Sequence, residues 1–259
     1  MFSITASAKQ SAKRAATALA VMSGVVAGSL LAAPLASASV PVIGPGDSIA
    51  VRDAQGQFHS CTVGPYMVKT ATSVPQFFAL TAGHCGTNGS PVYTLSPSND
   101  IGEYVGTISG SFEGKEDRSE RSGYGYDYAM IKLSKSNMTR SGSVNGYRIT
   151  KSLSLNNVAD IADGKDVKVC SMGHTSGYRC GTLESVDMNS SEIIVNLPGS
   201  KGDSGGPVWV TSGGTAQLIG TLSGSKGQSM SGYSTRIRVS PLDKPVEDYG
   251  ALVLNSYTR

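Results

Sequence analysis

The sequence predicts an all-β protein built from many short strands. Of its 259 residues, 32 are glycine, 11 are proline and only 16% are charged. This richness in turn-forming residues is typical of short strands joined by tight turns. Apolar and polar residues also alternate over short runs, as in residues 128–133 (YAMIKL), where Lys132 is expected to face outward. About a dozen such runs in two groups predict a pair of β-sandwiches or a pair of β-barrels, with ample chain to bury a core.

The elements follow one another with glycine and serine between them. A polar stretch from Ser134 to about Gly146 separates the two groups and is interpreted as a structureless connection. The first group of predicted strands covers residues 48–51, 62–69, 77–81, 92–95, 104–108 and 128–133. The second group covers residues 167–170, 181–186, 193–197, 207–210, 217–222 and 233–239. One helix is predicted near the end, capped by Ser240, with Pro241 in its first turn, Leu242, Val246 and Tyr249 on one face, and Gly250 at its end.

Residues 1–38 are interpreted as a secretory signal peptide. A basic stretch from Lys9 to Arg14 leads into an uncharged segment rich in Ala, Val and Leu, residues 15–31, and then into the small-residue triplet 36–38. A transmembrane anchor is disfavoured, because alanine and glycine dilute the segment and it falls short of the roughly 20 strongly apolar residues that a span needs. We therefore expect cleavage after Ala38 and a secreted, extracellular protein.

The net charge of +3 belongs entirely to this leader. Lys9, Lys13 and Arg14 are the only charged residues before Ser39, so the remaining chain is formally neutral. A neutral chain offers no argument for binding to nucleic acid or to an anionic membrane.

Export also decides how the cysteines are interpreted. In an oxidising compartment an even number with paired local spacing predicts disulfides, and the natural pairs are Cys61 with Cys85 and Cys170 with Cys180. A zinc site is the alternative. It is disfavoured because these spacings are not those of a zinc-ligand knuckle, and because the nearby His84 has another use. We expect no metal.

The segment most suggestive of chemistry is residues 202–207 (GDSGGP). Its glycines allow backbone conformations that are closed to other residues. A serine in such a turn, Ser204, can project its hydroxyl while the amides of Gly202 and Ser204 converge on one point, which is how an oxyanion is stabilised in acyl transfer. An ordinary Gly/Ser turn is the alternative.

A serine nucleophile needs a proton acceptor and a group that orients it. Residues 81–85 (TAGHC) offer His84 beside a cysteine that a disulfide would hold in place. Asp127, which opens the alternating run to Leu133, is the best-placed carboxylate to orient the imidazole. These three residues form the candidate catalytic set. Of the other histidines, His59 is interpreted as structural, and His174 as a solvated loop residue rather than part of an outer subsite.

These motifs resemble those of the chymotrypsin-like serine proteases, specifically the bacterial branch that includes alpha-lytic protease. TAGHC, the aspartate with its short apolar strand, and GDSGGP stand in the family's order, and residues 169–181 look like the second-barrel disulfide hairpin of that branch. The resemblance implies two antiparallel β-barrels with the catalytic triad in the cleft between them. His84 and Asp127 would come from a first barrel, residues 39–136, and Ser204 from a second barrel with the C-terminal helix, residues 137–259.

The resemblance also implies where the side chain before the cut bond is held. The implied pocket residues are Pro198, Gly199, Lys201, Leu222, Ser223, Gly224 and Ser225. Pro198 stands where trypsin-like members carry an aspartate, so basic substrates are not expected. Gly199 stands where alpha-lytic protease carries a methionine and leaves room for Leu, Phe, Tyr or Met. Lys201 at the mouth leaves Glu or Asp as the alternative.

The sequence therefore predicts a secreted serine endopeptidase that works through an acyl-enzyme. It is expected to need no cofactor, to act on polypeptide substrates as a monomer, and to bind neither nucleic acid nor a membrane. The alternative, from a different class, is a secreted binding module that keeps the protease fold without turnover.

Overall fold

Two eight-stranded sheets make up the described part of the chain. The computed structural model describes residues 41–71, 73–114, 125–138, 142–163, 166–226 and 233–254, so the predicted signal peptide lies outside the described residues. Within these ranges, no helix has the length and apolar character needed to cross a bilayer.

Short strands account for most of the regular structure, as the turn-rich composition predicts. In chain order they are β1 (Ser48–Arg52), β2 (Phe58–Thr62), β3 (Tyr66–Lys69), β4 (Gln76–Thr81), β5 (Pro91–Leu95), β6 (Ile101–Glu113), β7 (Asp127–Leu133), β8 (Ser143–Val144), β9 (Tyr147–Ser152), β10 (Lys168–Gly173), β11 (Gly177–Asp187), β12 (Glu192–Ser200), β13 (Pro207–Ser212), β14 (Thr215–Ser225), β15 (Tyr233–Ser240) and β16 (Leu252–Val253). The α-helices are α1 (Leu155–Ala162) and α2 (Asp243–Tyr249), and single 3-10 turns cover Gly83–Cys85 and Lys135–Asn137.

The first sheet runs in the order β16-β3-β4-β7-β6-β5-β1-β2, with antiparallel neighbours throughout. Its last strand in the chain, β16, pairs with β3 through Leu252 and Val68. Strand β16 therefore belongs to the first sheet, whereas the sequence assigned all of residues 137–259 to the second unit.

The second sheet closes on itself. β13 pairs with both β10 and β14, so the strands β10, β11, β12, β15, β14 and β13 form a closed barrel. β9 adds to β14 in parallel, and β8 adds to β9. The predicted all-β class is confirmed.

Strand β7 explains how the two units pack. Ala129 and Ile131 point into the core of the first sheet, whereas Tyr128 and Met130 point into a second cluster that contains Trp209 of the closed barrel. Both faces of this strand are therefore buried, while Lys132 is exposed as the sequence predicts. Because Asp127 opens this strand, it lies at the junction between the two units.

The C-terminal helix is confirmed, but its start differs from the prediction. It begins at Asp243 after Leu242, and Gly250 ends it in the left-handed conformation with φ 55°. Ser240 does not cap it, because Ser240 belongs to β15 and its hydroxyl accepts the backbone N–H of Asp127 at 3.0 Å. The Ser240 hydroxyl therefore binds a residue distant in sequence instead of capping the helix that follows it.

Two further sequence predictions of local structure are wrong, and one helix was missed. The interpreted connection after Ser134 contains a 3-10 turn and β8, and the predicted strand 62–69 is broken before Tyr66 into β2 and β3. Helix α1 was not predicted, although Ser154 caps it by accepting the N–H of Asn157 at 3.3 Å. The sequence does indicate this helix, because a serine is followed by apolar residues at helical spacing. The segment is so short that it resembles the strand-like runs around it.

Candidate active site

His84 is held by its neighbours along the chain. It sits in the 3-10 turn after β4, next to Cys85, whose disulfide to Cys61 ties the turn to β2. Only glycine fits at position 83, since a Cβ there would lie 2.1 Å from the carbonyl oxygen of Phe112. The disulfide closes a short loop and contributes about 3 kcal/mol to stability in the loop-entropy model. The backbone of His84 therefore has little freedom.

Asp127 is buried and fully occupied as an acceptor. Its side chain is 8% exposed. Oδ1 accepts the backbone N–H of His84 at 2.9 Å, and Oδ2 accepts the Nδ1–H of His84 at 2.8 Å and the hydroxyl of Ser223 at 2.7 Å. A carboxylate can only accept, so Nδ1 carries the proton and Nε2 is left as the acceptor in the neutral ring.

Ser204 completes a hydrogen-bonded chain. Its Oγ lies 2.9 Å from Nε2 of His84. The turn that carries it is anchored by the N–H of Thr62, which donates to the carbonyl of Ser204 at 2.8 Å, and by the N–H of Gly205, which donates to Leu222 at 2.6 Å. The fold thus brings together three side chains from β7, the turn after β4 and the turn between β12 and β13.

The charge of Asp127 controls the basicity of His84. Burial by itself would lower the pKa of His84, but the hydrogen bond and the negative charge of Asp127, helped by Glu113, outweigh it and raise that pKa above its ordinary value. Burial would likewise raise the pKa of Asp127, yet its hydrogen bonds from His84 and Ser223 lower it. Asp127 is therefore ionised at neutral pH.

We expect hydrolysis to depend on pH through His84. Only the neutral ring accepts the serine proton, so kcat/KM should rise with pH and reach its midpoint above 6.5, the ordinary histidine value. The measurement is kcat/KM between pH 5 and 9 on a substrate without ionisable groups. Glu113→Gln removes a charge that raises this pKa and should move the midpoint downward. A flat profile, or a midpoint below 6.5, would contradict the assignment of His84 as the base.

The turn that carries Ser204 contains the two N–H groups expected to bind the oxyanion, those of Gly202 and Ser204. Gly202 has φ 98°, a conformation that favours glycine. Among the described residues, no protein acceptor is bound to the N–H of Gly202 or of Ser204. Between them, Asp203 is 4% exposed, and its carboxylate accepts the N–H groups of Ser200, Thr175 and Ser176, each at 2.8 Å. The buried carboxylate is thus balanced by backbone donors.

The comparison with known families decides the identity of the chain. A family model described as Trypsin matches residues 50–244, which is most of the described chain. The chain belongs to the trypsin family. The match to two uncharacterized proteins of Mycobacterium tuberculosis is 43% identical over 53 residues, 20% of this chain, and it spans only about a quarter (24%) of the length of those curated relatives.

Solved structures agree with this trypsin-family assignment in fold. Protease A of Thermobifida fusca superposes with a TM-score of 0.55 and 23% identity, covering 83% of this chain and 100% of that one. A glutamic acid-specific serine protease, described as using a histidine triad in substrate binding, superposes with a TM-score of 0.53 and 19% identity, covering 82% and 100%. These likenesses show the fold, and they confirm the predicted architecture of two packed barrels.

Ile43 lies near the start of the described residues and is held by the first sheet. Ile43 is 1% exposed in the core of the first sheet, and its N–H donates to the carbonyl of Asn137 at 2.9 Å. Ile43 therefore contributes to the core of the first sheet.

A cavity of about 230 Å³ opens beside Ser204. All but one of the residues implied for the pocket line it, the exception being Pro198. Ile237 and Ser234 also line it and were missed by the sequence, because strand β15 carries no motif. A Cβ on Gly199 would lie 2.8 Å from Cδ1 of Ile237. Ile237 therefore packs against Gly199 at the cavity, and the preference for Leu, Phe, Tyr or Met stays a prediction.

Ser223 has a second role that the sequence did not indicate. It was named as a wall of the pocket, and it does line the cavity, yet its hydroxyl donates to Asp127. No spacing between the two residues along the chain signals this contact.

A second, larger cavity of about 630 Å³ also borders Ser204. Its lining includes His59 and His174. His59 pairs with Asp53 at 2.7 Å, in keeping with a structural role. His174 is not a solvated loop residue, because its Nδ1 is hydrogen-bonded to Ser48 Oγ and its Nε2 lies 3.2 Å from Asn99 Oδ1. Burial lowers the pKa of His174 despite the opposing charge of Asp203, so its ring is neutral at pH 7.

Proposed function

We propose that this trypsin-family chain is a secreted serine endopeptidase that uses His84, Asp127 and Ser204 as its catalytic triad. The observation that carries the proposal is the unbroken hydrogen-bonded chain from Asp127 through His84 to Ser204. The two cavities that border Ser204 offer room for an extended polypeptide at the site.

In the proposed reaction the hydroxyl of Ser204 attacks the carbonyl carbon of the peptide bond, and its proton moves to Nε2 of His84. The resulting oxyanion accepts hydrogen bonds from the N–H groups of Gly202 and Ser204. The C–N bond then breaks, and His84 returns the proton to the leaving amine. Water, deprotonated by the same imidazole, releases the acyl group from Ser204.

Asp127 sets the tautomer that this sequence of steps needs. Its carboxylate holds the proton on Nδ1, so the lone pair on Nε2 faces Ser204. Its charge also stabilises the imidazolium that forms when the serine proton is taken up. Metal and cofactor have no assigned role in this scheme, and the active species is taken to be a monomer.

Secretion belongs to the same proposal. It rests on the signal-like pattern of residues 1–38 and on the two disulfides, Cys61–Cys85 and Cys170–Cys180, which persist in oxidising compartments.

A fluorophosphonate probe tests the proposal against the alternative of a binding module without turnover. The probe transfers phosphorus to an activated serine hydroxyl with loss of fluoride. We expect stoichiometric labelling of Ser204, identified by mass spectrometry of the labelled peptide, and loss of peptide hydrolysis in parallel. A folded protein that is never labelled would favour the binding module.

We expect an apolar preference for the side chain before the cut bond. Apart from His84, Lys201 and Asp203, the smaller cavity is lined by glycine, serine, Leu222 and Ile237. The carboxylate of Asp203 borders it, but its three backbone hydrogen bonds leave it poorly suited to pair with Lys or Arg. Rates on peptides that differ only at this position should favour Leu, Phe, Tyr or Met over Lys and Arg. The reverse order would overturn the pocket assignment.

Ile237 offers a matched variant for the same measurement. Ile237→Ala should raise the rate on Phe and Tyr relative to Leu by about 10-fold, the effect of adding space to an apolar pocket, and Ile237→Val should give a smaller change in the same direction. An unchanged ratio in both variants would mean that Ile237 does not limit the pocket.

Glutamate is the alternative substrate residue, since Lys201 lies at the cavity. The glutamic acid-specific neighbour is described as binding substrate with a histidine triad. Of the described residues that line the smaller cavity here, His84 is the only histidine, and it is committed to Asp127 and Ser204. The same peptide series with Glu included separates the two preferences.

A further inference from the structure

Two threonine hydroxyls hold the peptide groups on either side of Gly202. The hydroxyl of Thr175 donates to the carbonyl of Lys201 at 2.6 Å, and the hydroxyl of Thr62 donates to the carbonyl of Gly202 at 2.8 Å. The carbonyl of Lys201 belongs to the peptide group before the Cα of Gly202, and the carbonyl of Gly202 belongs to the peptide group after it. The two contacts together therefore fix both backbone torsions of this glycine.

The direction of the Gly202 N–H follows from the first of these contacts. The carbonyl of Lys201 and the N–H of Gly202 belong to one planar peptide group, and none of the described peptide bonds is cis. In a trans peptide the C=O and N–H bonds point in opposite directions. Holding the carbonyl against Thr175 therefore directs the N–H of Gly202 away from Thr175, and Gly202 itself lines the larger cavity beside Ser204.

Thr62 is built into the fold as a bridge. It is fully buried, its hydroxyl accepts the N–H of His174 at 2.9 Å while donating to Gly202, and its own N–H donates to the carbonyl of Ser204. One residue of β2 thus contacts both residues whose amides face the cleft. The same hairpin turn that supplies Thr175 also supplies the N–H groups of Thr175 and Ser176 to Asp203.

A glycine needs such restraint more than another residue does. Gly202 has no side chain to limit its torsions, so the peptide before it is free to rotate unless its neighbours prevent this. Rotation would turn the carbonyl of Lys201 toward the cleft. A carbonyl oxygen there would repel a developing oxyanion instead of stabilising it.

We propose that Thr62 and Thr175 are positioning residues that keep the Gly202 N–H directed at the oxyanion of the reaction. This inference rests on the proposed function, because it assigns the two residues to the same site. Neither threonine touches the reacting atoms. Both act through Gly202, so removing them should weaken the binding of the transition state and leave the binding of substrate nearly unchanged.

The test compares Thr62→Val and Thr175→Val with their serine counterparts. Valine removes the hydroxyl at nearly constant volume, whereas Thr62→Ser and Thr175→Ser keep it. We expect each valine variant to lower kcat about 10- to 100-fold, below or near the effect of losing one oxyanion donor, with KM changed less than about 3-fold. The serine variants should restore most of kcat. Ser176→Ala is the matched control in the same turn, because its backbone N–H, rather than its hydroxyl, contacts Asp203.

A second readout separates positioning from general damage. A peptide aldehyde adds the hydroxyl of Ser204 across its C=O bond and places its oxygen where the oxyanion forms, whereas the corresponding peptide alcohol binds without reaction. The ratio of the two affinities should fall in each valine variant by the same factor as kcat. The midpoint of the pH profile should stay where it is in the unchanged protein, since His84 and Asp127 are not altered.

Unchanged kcat and an unchanged affinity ratio in both valine variants would overturn the inference while leaving the proposed function intact. If Thr62→Val does not fold, as judged by thermal unfolding, Thr175→Val decides the matter, because the Thr175 side chain is exposed and its removal leaves the cores intact. A protein that neither cleaves peptides nor prefers the aldehyde before any substitution would overturn the proposed function, and this inference with it.

Discussion

Ser204→Ala is expected to lower kcat by about 10⁶-fold while leaving the fold intact. The hydroxyl is the proposed nucleophile and lies 2.9 Å from its proton acceptor, Nε2 of His84. Alanine removes one oxygen atom and adds no bulk, and the turn keeps its backbone anchors to Thr62 and Leu222. Single-turnover and steady-state rates on one peptide, together with thermal unfolding of both proteins, provide the measurement.

Ser225→Ala serves as the matched control. Ser225 lines the smaller cavity but belongs to β14 rather than to the hydrogen-bonded chain. Removing the Ser225 hydroxyl should alter the preference among substrates more than the rate of the chemical step. Labelling of Ser204 by the fluorophosphonate should remain. If Ser204→Ala kept a substantial rate, the nucleophile would have to be another group, and the acyl-enzyme scheme would fail.

Asp127→Asn is expected to lower kcat by about 10⁴-fold, because it selects the wrong tautomer of His84. The carbonyl oxygen of the new amide would be retained by the backbone N–H of His84, which now donates to Oδ1 of Asp127. The amide NH₂ would then face Nδ1 and place the ring proton on Nε2, opposite Ser204. A ring protonated on Nε2 accepts no proton from the serine.

Asp100→Asn is the control for this prediction, since Asp100 is another carboxylate of the first sheet's chain segment and lies outside the hydrogen-bonded chain. Its Oδ2 accepts the hydroxyls of Ser96 and Ser98 within an exposed turn. The substitution should leave kcat and the pH midpoint unchanged. Near-normal turnover of Asp127→Asn, with a loss in Asp100→Asn, would reverse the two assignments.

Local chemistry along the chain was sufficient for several conclusions. The paired spacing of Cys61 with Cys85, and of Cys170 with Cys180, predicted the two disulfides that the structure contains. The alternation after Asp127 predicted a strand with Lys132 outward, and Gly250 predicted the end of the last helix. Each of these properties depends on residues close together in sequence, so a short window carries the whole signal.

Other features had no local signal because their partners are distant in sequence. Ser240 suggested a helix cap but accepts the N–H of Asp127, 113 residues away. Ser223 donates to the same aspartate, and Ile237 fills the space that Gly199 leaves. In each case the side chain satisfies a buried polar group or fills a void that only exists once the two sheets have packed.

By itself the sequence determined the all-β class, the pairing of the cysteines, and which histidine, aspartate and serine to consider, because turn composition and motifs are local properties. The tertiary structure alone decided the closure of the second barrel, the depth of the pocket against Ile237, and the bonds from Thr62 and Thr175 that hold Gly202. The physical reason is that these depend on angles and distances between segments far apart in the chain. Such geometry is set by the packing of the two sheets, which no short window of sequence encodes.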